Sequence, residues 1–157
     1  MRFWFDTEFI EDGRTIDLLS IGIVSEDGRE LYLENKECHT HRASQWVKDN
    51  VIPHLAGGDA LVDRVQMRTA VLNFVEDGNS KPEFWAYYAA YDWVALCQLF
   101  GTMMDLPKGW PMYCRDIKQL CDAMGNPKLP EQGKGEHHAL ADARWTRDAW
   151  KFLQGES

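Results

Sequence analysis

The sequence lacks the features that mark membrane-spanning and secreted proteins. No apolar run approaches the ~20 residues that a membrane-spanning helix needs. The longest run, near Leu18–Val24, is already interrupted by Ser20 and Gly22. Residues 1–9 contain acidic side chains where a secretion signal would need an apolar stretch. We therefore expect a cytoplasmic protein with no membrane partner.

Cysteine motifs are also missing. The four cysteines lie at positions 38, 97, 114 and 121, and no two of them have C-x-x-C spacing. This excludes the usual zinc-ribbon and redox motifs. We expect small buried or half-buried thiols in a reducing compartment.

An excess of basic residues is missing as well. The formal net charge is -8, whereas proteins that coat nucleic acid broadly need a positively charged surface. The acidic excess lies in residues 1–100, with 9 Lys and Arg against 17 Asp and Glu, while residues 101–157 are balanced. Some of these acids could be metal ligands, whose charge bound cations would offset.

What remains is an ordinary globular composition over 157 residues, 45% of them hydrophobic, which predicts one domain spanning 1–157. The order of the predicted elements suggests its fold. Apolar runs separated by Asp-Gly turns predict three strands, and later segments alternate between helix and strand. The predicted strands are Arg2–Phe9, Asp17–Val24, Leu31–Glu34, Phe84–Tyr88 and Pro111–Cys114. The predicted helices are Ala43–Val51, Val65–Phe74, one through Ala95 and Leu99 capped by Asp92, Asp116–Met124 and His138–Leu153. We predict an α/β protein of RNase H-like fold, with helices flanking a mixed five-stranded sheet that combines an antiparallel meander with parallel strands.

Two acidic residues stand out in the first strand. Asp6 and Glu8 are two residues apart, so both carboxylates point to the same face. The neighbouring Phe3, Phe5 and Phe9 suggest a buried strand, in which unpaired carboxylates are costly. The pair therefore either lies at a solvated strand end or binds cations.

Further polar residues follow at separate places along the chain. Asp92 could be a helix cap, and Asp142 a solvated acid in the first turn of the last helix. His137 and His138 end a glycine-rich loop just before that helix. Combined with Asp6 and Glu8, they offer the oxygen ligands that Mg²⁺ prefers and a histidine able to act as a general base. Two such ions can clamp a phosphodiester.

The ordered set Asp6-x-Glu8, Tyr91-Asp92 and His137-x4-Asp142 resembles the DEDDh branch of the DnaQ-like 3′–5′ exonuclease superfamily. The segments AYDWVALCQL and HHALADAR are most similar to the small actinobacterial-type 3′–5′ exoribonucleases. The resemblance covers nearly the whole chain.

This resemblance implies roles for particular residues. Asp6, Glu8, Asp92 and Asp142 would hold two Mg²⁺ or Mn²⁺ ions. His137 would be the general base, with His138 as a rival because it lies four residues before Asp142. The implied activity is metal-dependent 3′–5′ hydrolysis of single-stranded RNA or 3′ overhangs, with a nucleoside 5′-monophosphate as product.

The chain departs from the family pattern near the substrate. Phe9-Ile10-Glu11 replaces the usual Thr-Thr-Gly, and Tyr88 replaces an Asn. Thr7 and Phe9 are expected substrate contacts, although Phe9 could stack on a base or belong to the core. We expect Tyr88 and Tyr91 to belong to the core.

Surface roles are predicted more coarsely. A set of basic residues could steer the nucleic-acid substrate toward the site or simply be solvated. These are Arg115, Lys118, Lys134, Arg144, Arg147 and Lys151. The resemblance also implies a homodimer, whose interface Trp46, Trp110 and Trp145 could line.

Two other functions remain open on the sequence alone. One is a 3′–5′ DNA exonuclease, because no residue reveals a contact to the RNA 2′-hydroxyl. The other is a non-catalytic nucleotide-binding domain of the same fold. The completeness of the acidic set argues against the second function.

Overall fold

Three long strands at the N-terminus pair as the predicted antiparallel meander. In the computed structural model, which describes residues 1–76 and 81–156, β1 spans Arg2–Glu11, β2 spans Ile16–Ser25 and β3 spans Glu30–Asn35. β1 pairs with β2, and β2 with β3, both antiparallel. Alternation along β1 sends Phe3 and Phe5 to one face of the sheet and Trp4 to the other.

Three short strands complete the sheet, which has six strands and not the predicted five. They are β4 (Leu61–Val62), β5 (Glu83–Ala86) and β6 (Arg115–Asp116), in the order β4-β3-β2-β1-β5-β6. β5 runs parallel to β1, and β6 runs parallel to β5. The mixed α/β, RNase H-like prediction is confirmed. The strand predicted at Pro111–Cys114 is wrong, because the ladder with β5 forms only at Arg115 and Asp116.

Helices cover both faces of this sheet. They are α1 (Gln45–Asn50), α2 (Arg64–Glu76), α3 (Ala90–Gln98), α4 (Ile117–Ala123) and α5 (Ala139–Leu153). Buried side chains of α2 and α3 pack with Phe3 and Phe5, whereas those of α4 and α5 pack with Trp4. Over residues 1–76 and 81–156, none of the helices has the length and apolar character of a membrane span.

Several local predictions are corrected. Asp92 is not the N-cap of α3, because the helix starts at Ala90 and Asp92 falls in its first turn. Tyr88 and Tyr91 are not core residues, since 62% and 50% of their surfaces are exposed. Trp110 is buried in the core beside Phe84 and so is not available for a dimer interface. The four cysteines are free thiols, three of them buried, as predicted.

One glycine allows the close approach of α5 to the sheet. Gly22 on β2 lies opposite Asp6 of β1. A Cβ atom at this position would lie 2.4 Å from the backbone of Ala139 and Leu140, where α5 begins. Only glycine lets the first turn of α5 lie this close to β2, and that turn contains Asp142.

We expect Gly22→Ala to destabilise the protein because backbone atoms would have to move away from the new methyl group. Overpacking of this kind costs about 1–3 kcal/mol in a well-packed core. Urea unfolding would measure the loss, with Gly133→Ala as the matched control because its Cβ meets nothing within 4 Å. Equal stability of the two variants would contradict this account of the α5 contact.

Candidate active site

The site begins with the two acids of β1. Asp6 and Glu8 lie on the face of β1 that α5 covers, two residue pairs apart along the ladder with β2. A register shift follows immediately between Glu8 and Phe9. Such irregularities bend a strand and redirect the side chains beside them. The predicted shared face of Asp6 and Glu8 agrees with this geometry.

Helix α5 adds the third carboxylate. Asp142 lies in its first turn and is only 8% exposed. Carboxylate oxygens of Asp6, Glu8 and Asp142 lie within 4.8 Å of one another. Residues 136 positions apart in the chain thus form one acidic cluster.

Asp92 approaches from the opposite side of β1. Thr7, whose side chain points away from the face of Asp6 and Glu8, donates to Asp92 Oδ1 twice. Its backbone N–H donates at 2.9 Å and its hydroxyl at 2.5 Å. Thr7 is 4% exposed, so this bond occupies a residue predicted to contact substrate. In the structure Thr7 therefore orients the Asp92 carboxylate by hydrogen bonding. Its contact with substrate stays a prediction.

Burial raises the pKa of all four acids, and repulsion by neighbouring carboxylates adds to this at Asp6 and Glu8. Burial, followed by repulsion from Asp142 and Asp92, raises the pKa of Glu8 to about 8. Burial also raises the pKa of Asp92 and of Asp142 to about 6. The pKa of Asp6 is raised well above its ordinary value by burial and by the three neighbouring carboxylates. Perturbation of this kind is typical of functional sites.

The two histidines before α5 point to different places. His137 lines the same cavity as the four acids and contacts Trp46 edge-on, with 4.9 Å between ring centroids. His138 instead stacks on Tyr32, at 4.4 Å. Of the two rivals, only His137 borders the acidic cluster.

The cavity has a volume of about 480 Å³ and an aromatic wall beside its acids. Phe9 is half-buried and contacts Tyr91 edge-on at 5.8 Å. Tyr88 also lines the cavity, with its backbone in the left-handed region at φ 53°. The sequence did not predict this position for Tyr88, because YYAAY looks like the end of a buried strand. A larger hollow of about 600 Å³ lies at the far end of β1 and β2, away from Asp6 and Asp92.

Most of the basic residues considered for strand binding are already paired with acids. Arg115 contacts Glu83, Lys118 contacts Asp122, Arg144 contacts Glu30 and Arg147 contacts Asp148, at 2.5–3.6 Å. Among the described residues, Lys134 and Lys151 have no such ion pair. Four of these six candidates are therefore already engaged with acidic partners.

The acidic cluster fits divalent cations chemically. Its ligand atoms are carboxylate oxygens from two elements of the fold, which hard ions such as Mg²⁺ and Mn²⁺ prefer. Burial raises the pKa of these carboxyls, and a bound cation would offset their negative charge.

Fold and site together define a class: an RNase H-like sheet with carboxylates from β1, α3 and α5 is typical of DEDD-type hydrolytic exonucleases. The family model of the 3′-5′ exoribonuclease Rv2179c-like domain matches residues 1–154. The chain belongs to this family, and the predicted exonuclease class is confirmed.

Curated relatives agree with this assignment. The 3′-5′ exoribonuclease Rv2179c of Mycobacterium tuberculosis strain H37Rv is 45% identical over 147 residues, which cover 92% of this chain and 88% of that protein. The 3′-5′ exoribonuclease MT2234.1 of strain CDC 1551 gives the same values.

Solved structures share the fold at low identity. Pop2p of S. pombe, in a form with Mg²⁺ and Mn²⁺ bound, is similar with a TM-score of 0.62 and 12% identity, covering 98% of this chain and 81% of that one. A 3′-exonuclease that recognises the histone mRNA stem-loop 3′ end has a TM-score of 0.59 and 12% identity. It covers 98% of this chain and 63% of that one.

The raised pKa values predict that the metal-free protein becomes less stable as pH rises from 7 to 8. In this range folded Glu8 keeps its proton longer than unfolded Glu8, so the native state binds more protons and the free energy of unfolding falls with pH. The slope should reach up to about 1 kcal/mol per pH unit. Thermal unfolding in EDTA measures it.

Glu8→Gln is the control, since it should flatten this dependence, and added Mg²⁺ should restore stability in the unmodified protein. The range from pH 7 to 8 lies above the ordinary pKa of histidine, so histidines with that pKa titrate mostly below it. A free energy of unfolding that stays level or rises between pH 7 and 8 in EDTA would contradict the raised pKa of Glu8.

Proposed function

We propose that this protein is a metal-dependent exonuclease that removes 5′-mononucleotides from the 3′ ends of single-stranded RNA or 3′ overhangs. One observation carries the proposal. Four carboxylates from β1, α3 and α5 border one open cavity together with His137. A binding module of the same fold would have no reason to keep so many destabilising acids together.

RNA as the substrate is supported by the relatives. The mycobacterial proteins that are 45% identical to this chain are named 3′-5′ exoribonucleases. The structural neighbour that recognises histone mRNA acts at an RNA 3′ end, although at 12% identity it supports the fold alone. No observation on this chain favours DNA.

The four acids would hold two divalent ions, Mg²⁺ or Mn²⁺. Asp6, Glu8 and Asp142 already have oxygens within 4.8 Å of one another, and Asp92 borders the same cavity. When bound, such ions supply charge that offsets the phosphodiester and favours attack by water. Thr7 contributes by orienting the Asp92 carboxylate.

His137 would act as the general base. It borders the cavity, and its backbone N–H donates to Asp142 Oδ2 at 2.9 Å, which ties the residue to the acidic cluster. Its imidazole would accept the proton of the attacking water. The water oxygen then bonds to phosphorus, the 3′ oxygen of the penultimate nucleotide leaves and takes up a proton from solvent, and the last nucleotide departs as a 5′-monophosphate.

The terminal base would meet the aromatic wall of the cavity. Phe9 is half-buried and lies against Tyr91, so one ring can stack on a base while the other supports it. Stacking contributes about 1–3 kcal/mol per base and tolerates any base identity. This arrangement suits an enzyme that removes successive nucleotides without sequence preference.

The activity can be tested on single-stranded RNA and matching DNA, each labelled at the 5′ end, with Mg²⁺, Mn²⁺ or EDTA. We expect a metal-dependent ladder that shortens from the 3′ end, faster on RNA. Loss of a residue that only hydrogen-bonds to a metal ligand typically costs about 10- to 100-fold in activity. Asp142→Asn, which alters a proposed ligand itself, should lower the rate by more than this. Asp148→Asn, on the exposed side of α5, is the matched control.

Each alternative has its own outcome in this assay. A ladder that forms faster on DNA would make the protein a DNA exonuclease. If neither substrate is shortened by folded protein with either metal, the catalytic proposal fails and a nucleotide-binding domain remains.

The base is tested separately by comparing His137→Ala with His138→Ala. Loss of a general base typically costs about 10²- to 10⁴-fold in rate. We expect such a fall in kcat for His137→Ala and a much smaller change for His138→Ala, whose ring stacks on Tyr32. A larger fall for His138→Ala would reverse the assignment.

A further inference from the structure

The Asp142 carboxylate is held at both oxygens by the segment that precedes α5. The side-chain amide of Gln132 donates from Nε2 to Asp142 Oδ1 at 2.5 Å. The backbone N–H of His137 donates to Oδ2 at 2.9 Å. The same loop is tied to α5 a second time, because Trp145 Nε1 donates to the Pro130 carbonyl at 3.0 Å.

We infer that Gln132 is a positioning residue for metal binding, whose amide holds the Asp142 carboxylate turned toward Asp6 and Glu8. The inference rests on the proposed function, since it takes Asp142 as a metal ligand. No motif of the sequence indicates Gln132, which lies within the Gly125–Glu136 loop ten residues before Asp142.

Repulsion explains why Asp142 needs such a partner. Its oxygens lie within 4.8 Å of those of Asp6 and Glu8. A carboxylate free to rotate would turn away from two like-charged neighbours. Donors on both oxygens fix the carboxylate plane, and each oxygen keeps a further lone pair for a cation.

The chemistry of glutamine suits this task. Its amide is a neutral donor, so it orients the carboxylate without neutralising it. A lysine in the same place would bring a positive charge that competes with the cation. Metal ligands in proteins are commonly oriented by such hydrogen bonds from neighbouring groups.

The other acids of the cluster are held differently. Asp6 and Glu8 lie on β1 opposite Gly22 and Ser20 of β2, and this ladder fixes the backbone that bears them. Asp92 receives both donors of Thr7. Asp142 follows a loop that contains three glycines and two prolines, so its carboxylate depends on bonds made by the loop itself.

Binding of Mn²⁺, followed by electron paramagnetic resonance, tests the inference without relying on activity. Gln132→Leu removes the donor at similar size and should weaken Mn²⁺ binding by about 10- to 100-fold. Gln154→Leu, the same substitution at the exposed end of α5, is the matched control and should bind as the unmodified protein does. Circular dichroism at the titration temperature verifies that both variants are folded.

A second variant separates positioning from direct ligation. Gln132→Glu cannot donate and adds a further negative charge next to Asp142, so we expect it to weaken or at best not improve Mn²⁺ binding. Tighter binding than in the unmodified protein would overturn the inference, because residue 132 would then contact the ion itself. Saturating Mn²⁺ should return kcat of Gln132→Leu toward the unmodified value.

The outcomes distinguish this inference from the proposed function. If the unmodified protein binds Mn²⁺, Asp142→Asn loses it and Gln132→Leu does not differ from Gln154→Leu, the inference alone fails. If the unmodified protein binds no Mn²⁺, the metal-dependent function fails and Gln132 has nothing to position.

Discussion

Mutual repulsion of carboxylates is the constraint on which the site depends. Burial alone makes an ionised acid costly, and the neighbouring acids add to that cost until Glu8 reaches a pKa of about 8. Such a cluster persists only where rigid elements prevent the repelling carboxylates from moving apart. The central strand β1 provides this rigidity for Asp6 and Glu8, because it pairs with β2 along almost its whole length.

Hydrogen bonds hold the strained turns that border the other acids. His137 and Tyr88 both adopt left-handed backbone conformations, at φ 69° and 53°, which side chains other than glycine rarely adopt. Each donates its backbone N–H to an acid, His137 to Asp142 and Tyr88 to Asp116. These bonds stabilise two strained turns, which bring α5 and the aromatic wall to the acids.

Short-range regularities of the sequence predicted part of this arrangement. The spacing of Asp6 and Glu8 on a strand indicated a shared face, and the Asp-Gly turns indicated the meander. Contacts between distant segments had no such signal. Neither the approach of α5 over Gly22 nor the Gln132–Asp142 bond follows from local pattern, because each depends on where a loop lies in space. The prediction that Tyr88 and Tyr91 belong to the core was wrong for the same reason, because their aromatic character did not reveal that they border a cavity.

The charge distribution bears on how a strand would be gripped. Four of the six basic residues considered for this purpose are paired with acids, and the net charge is -8. A net charge of -8 gives the chain little overall attraction for the middle of a polyanion. Under the proposed function, binding energy would therefore concentrate at the acidic cluster, through bound cations, and at the ring of Phe9. Both lie in one small cavity, so a strand would be held mainly by its end, which is what an exonuclease requires.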